Sequence, residues 1–259
     1  MHGLDEISAT NQQHWEKAVE DGAGCTIPYL DLEPHLVREY AAGQLHDPPE
    51  HLLGMTPVYL LAGAEGKDVL CLACGGGQQS AVFGLLGAHV TVVDLAEGQL
   101  KGDRRAAAHY GYKATTIQGD MRDLSGLAQA SFDLVWQDNS MAWIPDCRQV
   151  YAQVHRVLRP RGRYKVNFTN PAVEFVHEEW DGVGYRIVRP YSERTRLLNG
   201  AMEFRHYLKD IFGGLIDLGF SIEHVNDDPP APPEEPPSPG SWAHIQHYLV
   251  GFEIVAVRN

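Results

Sequence analysis

Seven short apolar runs punctuate this chain, and polar segments with helical spacing separate most of them. The runs that predict strands cover residues 68–74, 88–94, 114–120, 131–138, 163–168, 221–225 and 247–257. Short apolar runs bounded by turn residues are typical of buried strands. Because strands and helical segments alternate, the pattern favours an α/β fold.

Helical patterns lie on both sides of this strand-rich region. Before it they cover 10–20, 29–40 with a helix start near Asp31 or Glu33, and 49–61, and Thr10 or Asn11 is the candidate cap of the first. After it, 203–218 keeps apolar residues on one face, although Gly213 and Gly214 favour a break. The stretch 227–240 is rich in proline and acid, which predicts an extended, solvated loop.

The connection between the first two strands carries the clearest chemical signal. The first strand ends in Gly75, Gly76 and Gly77, and the second ends in Asp94, 19 positions after Gly75. Glycines let the backbone pass close beneath a ligand. An acid about 20 positions further on accepts hydrogen bonds from a ribose in the nucleotide-binding βαβ unit. The segment therefore predicts a nucleoside site, although it lacks the third glycine of a dinucleotide fingerprint.

With its later segments, the chain resembles the class I S-adenosylmethionine-dependent methyltransferases. The resemblance covers roughly residues 50–170 and rests on five segments in the expected order, which are Val69–Gly77, Val92–Asp94, Gly119–Met121, Phe132–Val135 and Arg156–Gly162. It implies a Rossmann-like, seven-stranded, mostly parallel sheet with an antiparallel last strand. It also implies helices on both faces and an N-terminal helical cap.

The resemblance further implies a cofactor and the residues that hold it. The cofactor is S-adenosylmethionine, with S-adenosylhomocysteine as its product. The glycine loop would pass under the methionine part, Asp94 would hold the ribose, and Asp120 with Met121 would face the adenine. The full set of expected cofactor-binding residues is Ala73, Gly75, Gly77, Gln78, Asp94, Leu95, Gln99, Asp120, Met121, Gln137 and Tyr29. The chain departs from the family at Cys71, where an acid is common.

The sequence divides into one methyltransferase domain with four parts. They are a helical cap at 1–66, a cofactor-binding core at 67–169, a substrate lid at 170–200, and a C-terminal helix with strands at 201–259. The aromatic and charged residues of the lid, among them His177, Trp180 and Tyr185, suit an acceptor pocket. A general base is needed only for an acceptor that carries a proton. Asp138 and His177 are the candidates for it.

Two alternatives stay open beside methyl transfer to the oxygen, nitrogen or sulfur of a small molecule. One is a nicotinamide-dependent reductase, although neither Tyr110 nor Tyr164 has a lysine four positions later. The other is a protein that binds the cofactor without catalysis. The acceptor and the oligomeric state cannot be read from the sequence.

Composition narrows the class of partner. The formal net charge is −13, with 21 basic against 34 acidic residues, which disfavours nucleic acid as substrate. No apolar stretch is long enough to span a membrane, and the polar start is unlike a signal peptide, so we expect a cytoplasmic protein. No metal site is expected. Cys71 and Cys74 form a C-x-x-C pair, but the first lies inside a predicted buried strand, which favours packing over redox or zinc chemistry.

Overall fold

The central sheet contains seven of the nine strands in the described ranges 5–173, 180–198, 200–228 and 237–259 of this computed structural model. The strands are β1 Asp68–Leu72, β2 His89–Asp94, β3 Ala114–Gln118, β4 Phe132–Gln137, β5 Leu158–Phe168, β6 Thr195–Leu198, β7 Ala201–Phe204, β8 Phe220–Asn226 and β9 Phe252–Arg258. Their order across the sheet is β3-β2-β1-β4-β5-β9-β8. Of these seven strands, β9 alone runs opposite to the other six. The predicted Rossmann-like sheet with an antiparallel last strand is confirmed.

Helices cover both faces of this sheet. They are α1 Glu6–Glu20, α2 Pro34–Ala41, α3 Glu50–Leu53, α4 Gln79–Leu85, α5 Glu97–Tyr110, α6 Cys147–Val157, α7 Leu208–Asp217 and α8 Trp242–Gln246. Along β1, Val69 and Cys71 join the core that contains residues of α2, α4 and α5, whereas Leu70 and Leu72 join the core that contains residues of α6 and α7. No helix in the described ranges is long and apolar enough to cross a membrane.

The strand order creates a cleft where β1 and β4 meet. From β1 the chain proceeds to β2 on one side, while β4 and β5 lie on the other. In open α/β sheets, ligands bind at such a switch point, outside the carboxyl ends of the strands.

The N-terminal helices differ from the sequence prediction in two places. Helix α1 begins at Glu6, because the side chain of Asp5 accepts the Ser8 N–H at 2.9 Å and caps the helix. Thr10 and Asn11 as caps were therefore wrong. The single helix predicted over 49–61 is also wrong: α3 is short, and a 3-10 turn at Val58–Leu60 follows it. Gly54 and Pro57 interrupt a longer helix.

The region after β5 contains a hairpin that the sequence pattern did not predict. Strands β6 and β7 pair antiparallel, and Arg196 forms an ion pair across them with Glu203. Residues 203–207 therefore lie outside a helix, and α7 starts at Leu208 instead of 203. The expected break at Gly213 and Gly214 is absent from α7, which continues through both residues.

The ends of two strands also differ. Strand β5 begins at Leu158, five residues earlier than predicted, because Leu158 already pairs with Phe132 in β4. Strand β9 begins at Phe252 instead of residue 247, since α8 and a turn occupy the preceding residues.

Candidate active site

A cavity of about 150 Å³, partly open to solvent, lies at the carboxyl ends of β1 to β4. Helix α1 forms one of its walls. The lining residues are Ser8, Asn11, Trp15, Cys25, Ala73, Cys74, Gly75, Gln78, Gln79, Val93, Asp94, Leu95, Gln99, Gly119, Asp120, Met121, Asp138, Asn139, Ser140, Trp143 and Ile144.

The glycine loop, residues 73–78, forms the floor of the cavity in a left-handed backbone conformation. Ala73, Gly75 and Gly77 have φ angles of +49°, +71° and +86°. A Cβ added at Gly76 would lie 2.6 Å from the carbonyl oxygen of Gln99 on α5. The loop is therefore pressed against α5, and glycine is required for that approach.

An N-terminal segment, residues 24–29, packs against the glycine loop from the other side. The Gln78 amide donates to the carbonyl oxygens of Gly24 and Ile27 at 3.1 and 3.0 Å. The Tyr29 N–H donates to the Gly77 carbonyl at 3.0 Å. These bonds hold Cys25 at the edge of the cavity.

Asp94 lies at the end of β2 with its side chain almost fully buried. Its Oδ1 accepts the Ala96 N–H at 2.8 Å. Burial raises the pKa of Asp94 to about 7, and the nearby carboxylate of Glu16 acts in the same direction. Glu16 itself accepts the N–H groups of Glu97 and Gly98 at 2.7 and 3.1 Å, so α1 is tied to the start of α5. A buried acceptor at this position suits a ribose diol, which donates two hydrogen bonds.

Asp120 follows β3, the strand next to β2, and lies in a charged network. Arg122 donates to the carboxylates of both Asp120 and Asp5, and Ser8 donates to Asp120. Burial opposes ionisation of Asp120, but the bonds from Arg122 and Ser8 outweigh it and lower the pKa of this carboxyl. The bond from Arg122 is the main reason that the pKa of Asp5 falls to about 2. The network fixes α1 across the loop that follows β3.

Asp138, in the loop after β4, has both carboxylate oxygens bonded within the protein. Oδ1 pairs with the buried Lys165, and Oδ2 accepts the Trp136 indole N–H at 2.6 Å. Lys165 also pairs with Glu253 at 3.2 Å and lies 4.4 Å from the centre of the Trp136 ring. The sequence predicts a proton acceptor at Asp138, whereas these contacts support a role in holding the loop.

Nine of the cofactor and catalytic candidates line the cavity together. They are Ala73, Gly75, Gln78, Asp94, Leu95, Gln99, Asp120, Met121 and Asp138. His177 lies outside the described residues. The other three candidates, Gly77, Tyr29 and Gln137, do not line this cavity in the described ranges. Gly77 packs on Gly102 beneath the loop, and the Tyr29 ring stacks on His51 at 4.1 Å. The Gln137 amide donates to Ser140 at 3.0 Å and accepts from Tyr164 at 2.5 Å.

Three residues of α1 that are not among the expected cofactor-binding or catalytic residues also line the cavity. Ser8, Asn11 and Trp15 all face it from α1, and Trp143 packs edge-on against Trp15 at 5.4 Å. Their spacing of three and four residues puts them on one face of α1. This spacing is the feature of the sequence that could have predicted their common position.

The lid residues named from the sequence lie elsewhere. Trp180 and Tyr185 pack on each other, and both contact His244 and Tyr248. The Tyr185 hydroxyl lies 2.6 Å from His244 Nδ1. Neither residue is part of the lining of this cavity in the described ranges, and the acceptor pocket around them stays a prediction.

Buried polar atoms in the cavity wall fit a polar ligand. The side-chain oxygens of Gln79 and Gln99 are buried and have no hydrogen-bond partner within the described chain. Such atoms are rare in native proteins, because an unsatisfied buried group is costly. With Asp94 at one strand end and the glycine loop between, the residues fit the nucleoside and amino-acid parts of S-adenosylmethionine.

Comparison with known proteins also indicates a methyltransferase. A family model described as a methyltransferase domain matches residues 70–166. The chain is 31% identical over 238 residues to the uncharacterized methyltransferase YbaJ of Bacillus subtilis (strain 168), covering 87% of this chain and 92% of that protein. It is 30% identical over 184 residues to malonyl-(acyl-carrier protein) O-methyltransferase of Salmonella typhimurium, covering 65% of this chain and 70% of that protein.

A solved structure shares the fold. The S-adenosylmethionine dependent methyltransferase from Mesorhizobium loti superposes with a TM-score of 0.63 at 24% identity, over 80% of this chain and 100% of that chain. The family match and the long alignment with the Bacillus protein agree with the cavity just described. The chain is an enzyme that uses S-adenosylmethionine, and it belongs to the class I S-adenosylmethionine-dependent methyltransferases.

Proposed function

We propose that this enzyme methylates a small molecule that enters beside the loop after β4. One observation carries the proposal: a single cavity runs from Asp94 across the glycine loop to Asp138 and Asn139. The cofactor's nucleoside end and the acceptor therefore share one enclosure. The name of the Salmonella relative describes O-methylation of a malonyl group, which supports a small acceptor group. Oxygen, nitrogen and sulfur acceptors remain within the proposal.

The chain's own residues would bind the cofactor and shield the site. Asp94 would hold the ribose diol, the glycine loop would support the methionyl part, and Asp120 with Met121 would border the adenine. When bound, S-adenosylmethionine supplies a methyl group on a positively charged sulfur with a good leaving group. The protein has to align an acceptor and exclude water. The aromatic wall of Trp15 and Trp143 contributes to that exclusion.

The proton acceptor, where the acceptor atom needs one, stays a prediction. Both oxygens of Asp138 are bonded to Lys165 and Trp136, so its contacts favour positioning of the loop. His177 is retained as a candidate from the sequence alone. The four-part division of a single domain is likewise part of the proposal, with the cap and the core both lining the cavity.

The proposed setting is the cytoplasm, with no nucleic-acid partner. The net charge of −13 repels phosphate backbones. All four cysteines are free thiols, as is usual in a reducing compartment.

A screen for cofactor consumption tests the proposed acceptor class. Purified protein with S-adenosylmethionine is offered phenols, carboxylic acids, amines and thiols, and mass spectrometry follows both S-adenosylhomocysteine and the methylated product. We expect turnover with members of one class, and markedly lower turnover with the Asp94→Ala variant when the cofactor concentration is below saturation. Turnover only with a nucleic acid, or only on an amino-acid side chain of a protein, would contradict the proposal.

We expect the affinity for S-adenosylhomocysteine to rise as the pH increases through about 7. In the free protein, burial raises the pKa of Asp94 to about 7, so the carboxyl is partly protonated at neutral pH. Hydrogen bonds from a ribose diol favour the ionised form, so binding releases a proton. Affinity should increase by up to about tenfold per pH unit below the pKa and level off above it.

Calorimetry in buffers with different ionisation enthalpies measures that proton release. The other carboxylates that face Asp94 are those of Glu16 and Asp103. Asp94→Asn is therefore the matched control, because it keeps these neighbours and removes the titrating group. Equal proton release by the control and the parent enzyme would assign the effect to another residue.

Gly75→Val should abolish cofactor binding while leaving most of the fold. Gly75 has φ +71°, and a Cβ there would lie 2.7 Å from the Cys25 carbonyl oxygen. Valine would displace the N-terminal segment and distort the loop. Gly66→Val is the matched control, since Gly66 has φ +67° but a Cβ there meets nothing within 4 Å. Calorimetric titration and circular dichroism measure the two effects, and equal binding by both variants would remove Gly75 from the site.

A further inference from the structure

A buried carboxylate on α5 holds the glycine loop from below. The Gly77 N–H donates to Oδ1 of Asp103 at 2.9 Å, and the Ser80 hydroxyl donates to the same oxygen. Asp103 is only 1% exposed and is not among the residues that line the cavity. It contacts the loop, whereas the cofactor would contact the other side of that loop.

Helix α5 meets the loop along one face. Gly102 and Asp103 follow Gln99 by three and four positions, which places all three on the same side of the helix. A Cβ at Gly102 would lie 2.5 Å from the carbonyl oxygen of Gly76. The backbone of α5 thus touches the loop, and the carboxylate of Asp103 reaches the next N–H along it.

The packing of α5 against the glycine loop does not by itself require a carboxylate at Asp103. Its Oδ2 is buried and has no hydrogen-bond partner within the described chain. Burial raises the pKa of Asp103 to about 7, and the negative charge of Asp94 adds to this, while the bonds from Ser80 and Gly77 and the charge of Arg104 oppose it. A buried polar group with an unsatisfied atom costs stability, so its presence calls for a role.

We propose that Asp103 is a positioning residue for the methionyl end of the cofactor. It holds the Gly77 N–H, and the carbonyl oxygen of the same residue accepts the Tyr29 N–H at 3.0 Å. One carboxylate therefore holds the glycine loop and, through it, the N-terminal segment beside Cys25. The nearby Cys71 of β1 is buried, and burial raises the pKa of its thiol well above the usual value, so α5 supplies the anionic partner of the loop. This inference rests on the proposed function, which puts the methionyl part over the loop.

Two ligands separate positioning from general support of the fold. S-adenosylhomocysteine spans both Asp94 and the glycine loop, whereas 5′-methylthioadenosine has the nucleoside without the amino-acid end. Calorimetry should show that Asp103→Ala weakens S-adenosylhomocysteine by about 10- to 100-fold, as expected for loss of a hydrogen bond to a charged group. It should change 5′-methylthioadenosine by less than about threefold. Asp103→Asn keeps an acceptor oxygen and should restore most of the affinity.

The controls keep every outcome informative. Arg105→Ala changes an exposed residue of the same helix and should alter neither affinity. If Asp103→Ala does not fold, Asp103→Ser replaces it, because its hydroxyl is too short to reach Gly77. Equal weakening of both ligands, or unchanged binding of S-adenosylhomocysteine, would overturn the role of Asp103. Failure of the unmodified enzyme to bind S-adenosylhomocysteine would instead overturn the proposed function.

Discussion

Lys165→Met is expected to lower the free energy of unfolding by about 3–5 kcal/mol, the usual cost of breaking a buried ion pair. Lys165 is fully buried and pairs with both Asp138 and Glu253. Methionine fills a similar volume but leaves two buried carboxylates without a positive partner. The bonds of Glu253 are already incomplete, since its Oε1 has no partner in the described part of the chain.

Chemical denaturation followed by circular dichroism measures this loss. Lys101→Met is the matched control, because Lys101 is exposed on α5 and its replacement should cost less than about 0.5 kcal/mol. A second variant combines Lys165→Met with Asp138→Asn and Glu253→Gln, and it should recover part of the stability because no unpaired charge remains. A loss below about 1 kcal/mol for the single variant would show that the carboxylates do not depend on Lys165.

Asp94→Ala should weaken S-adenosylhomocysteine binding by about 1.5–3 kcal/mol, which corresponds to roughly 10- to 150-fold. The change removes a charged acceptor from the ribose. It should not destabilise the free protein, because burial raises the pKa of Asp94 and its charge is held there at a cost. Calorimetric titration gives the affinity and thermal unfolding gives the stability.

Glu20→Ala, which removes an exposed acid at the end of α1, is the control for lost negative charge. It should leave the affinity unchanged. Equal effects of the two variants would mean that Asp94 acts through the overall charge. Unchanged affinity in Asp94→Ala would remove the ribose contact from the account.

The core of the fold could be predicted because its signals are local. The apolar run of β1, the three glycines and Asp94 lie within 27 consecutive residues, and each has one simple structural meaning. The hairpin of β6 and β7 could not be predicted in the same way, because each strand has four residues and is stabilised by its partner. That pairing also moved the start of α7, since Glu203 is held by Arg196 across the hairpin.

The residues of the candidate site likewise fall into those that local sequence could predict and those that it could not. Asp94, Asp120 and the glycine loop follow strand ends, so their meeting at one edge could be predicted from strand order. Ser8, Asn11 and Trp15 reach the cavity through the docking of α1, which depends on contacts distant in sequence. For example, the Asn11 amide donates to the carbonyls of Trp143 and Met202 at 2.9 and 3.1 Å.

Roles set by buried partners were the hardest to predict. Asp138 was expected to take a proton, but Lys165 lies 27 positions away on the neighbouring strand and binds its carboxylate. In the sequence, Asp103 is indistinguishable from an ordinary polar residue of a helix. Its contact with the glycine loop depends on the packing of α5 against that loop. In both cases the chemistry of one side chain depends on a contact that no local pattern contains.

The most direct test of the account is a calorimetric comparison of S-adenosylhomocysteine with NAD on the same enzyme preparation. We predict saturable binding of one S-adenosylhomocysteine per chain and no measurable heat with NAD. In the Asp94→Ala variant, the affinity for S-adenosylhomocysteine should fall by about 10-fold or more. Tight binding of NAD without binding of S-adenosylhomocysteine would contradict the account, as would S-adenosylhomocysteine binding that is insensitive to both Asp94→Ala and Gly75→Val.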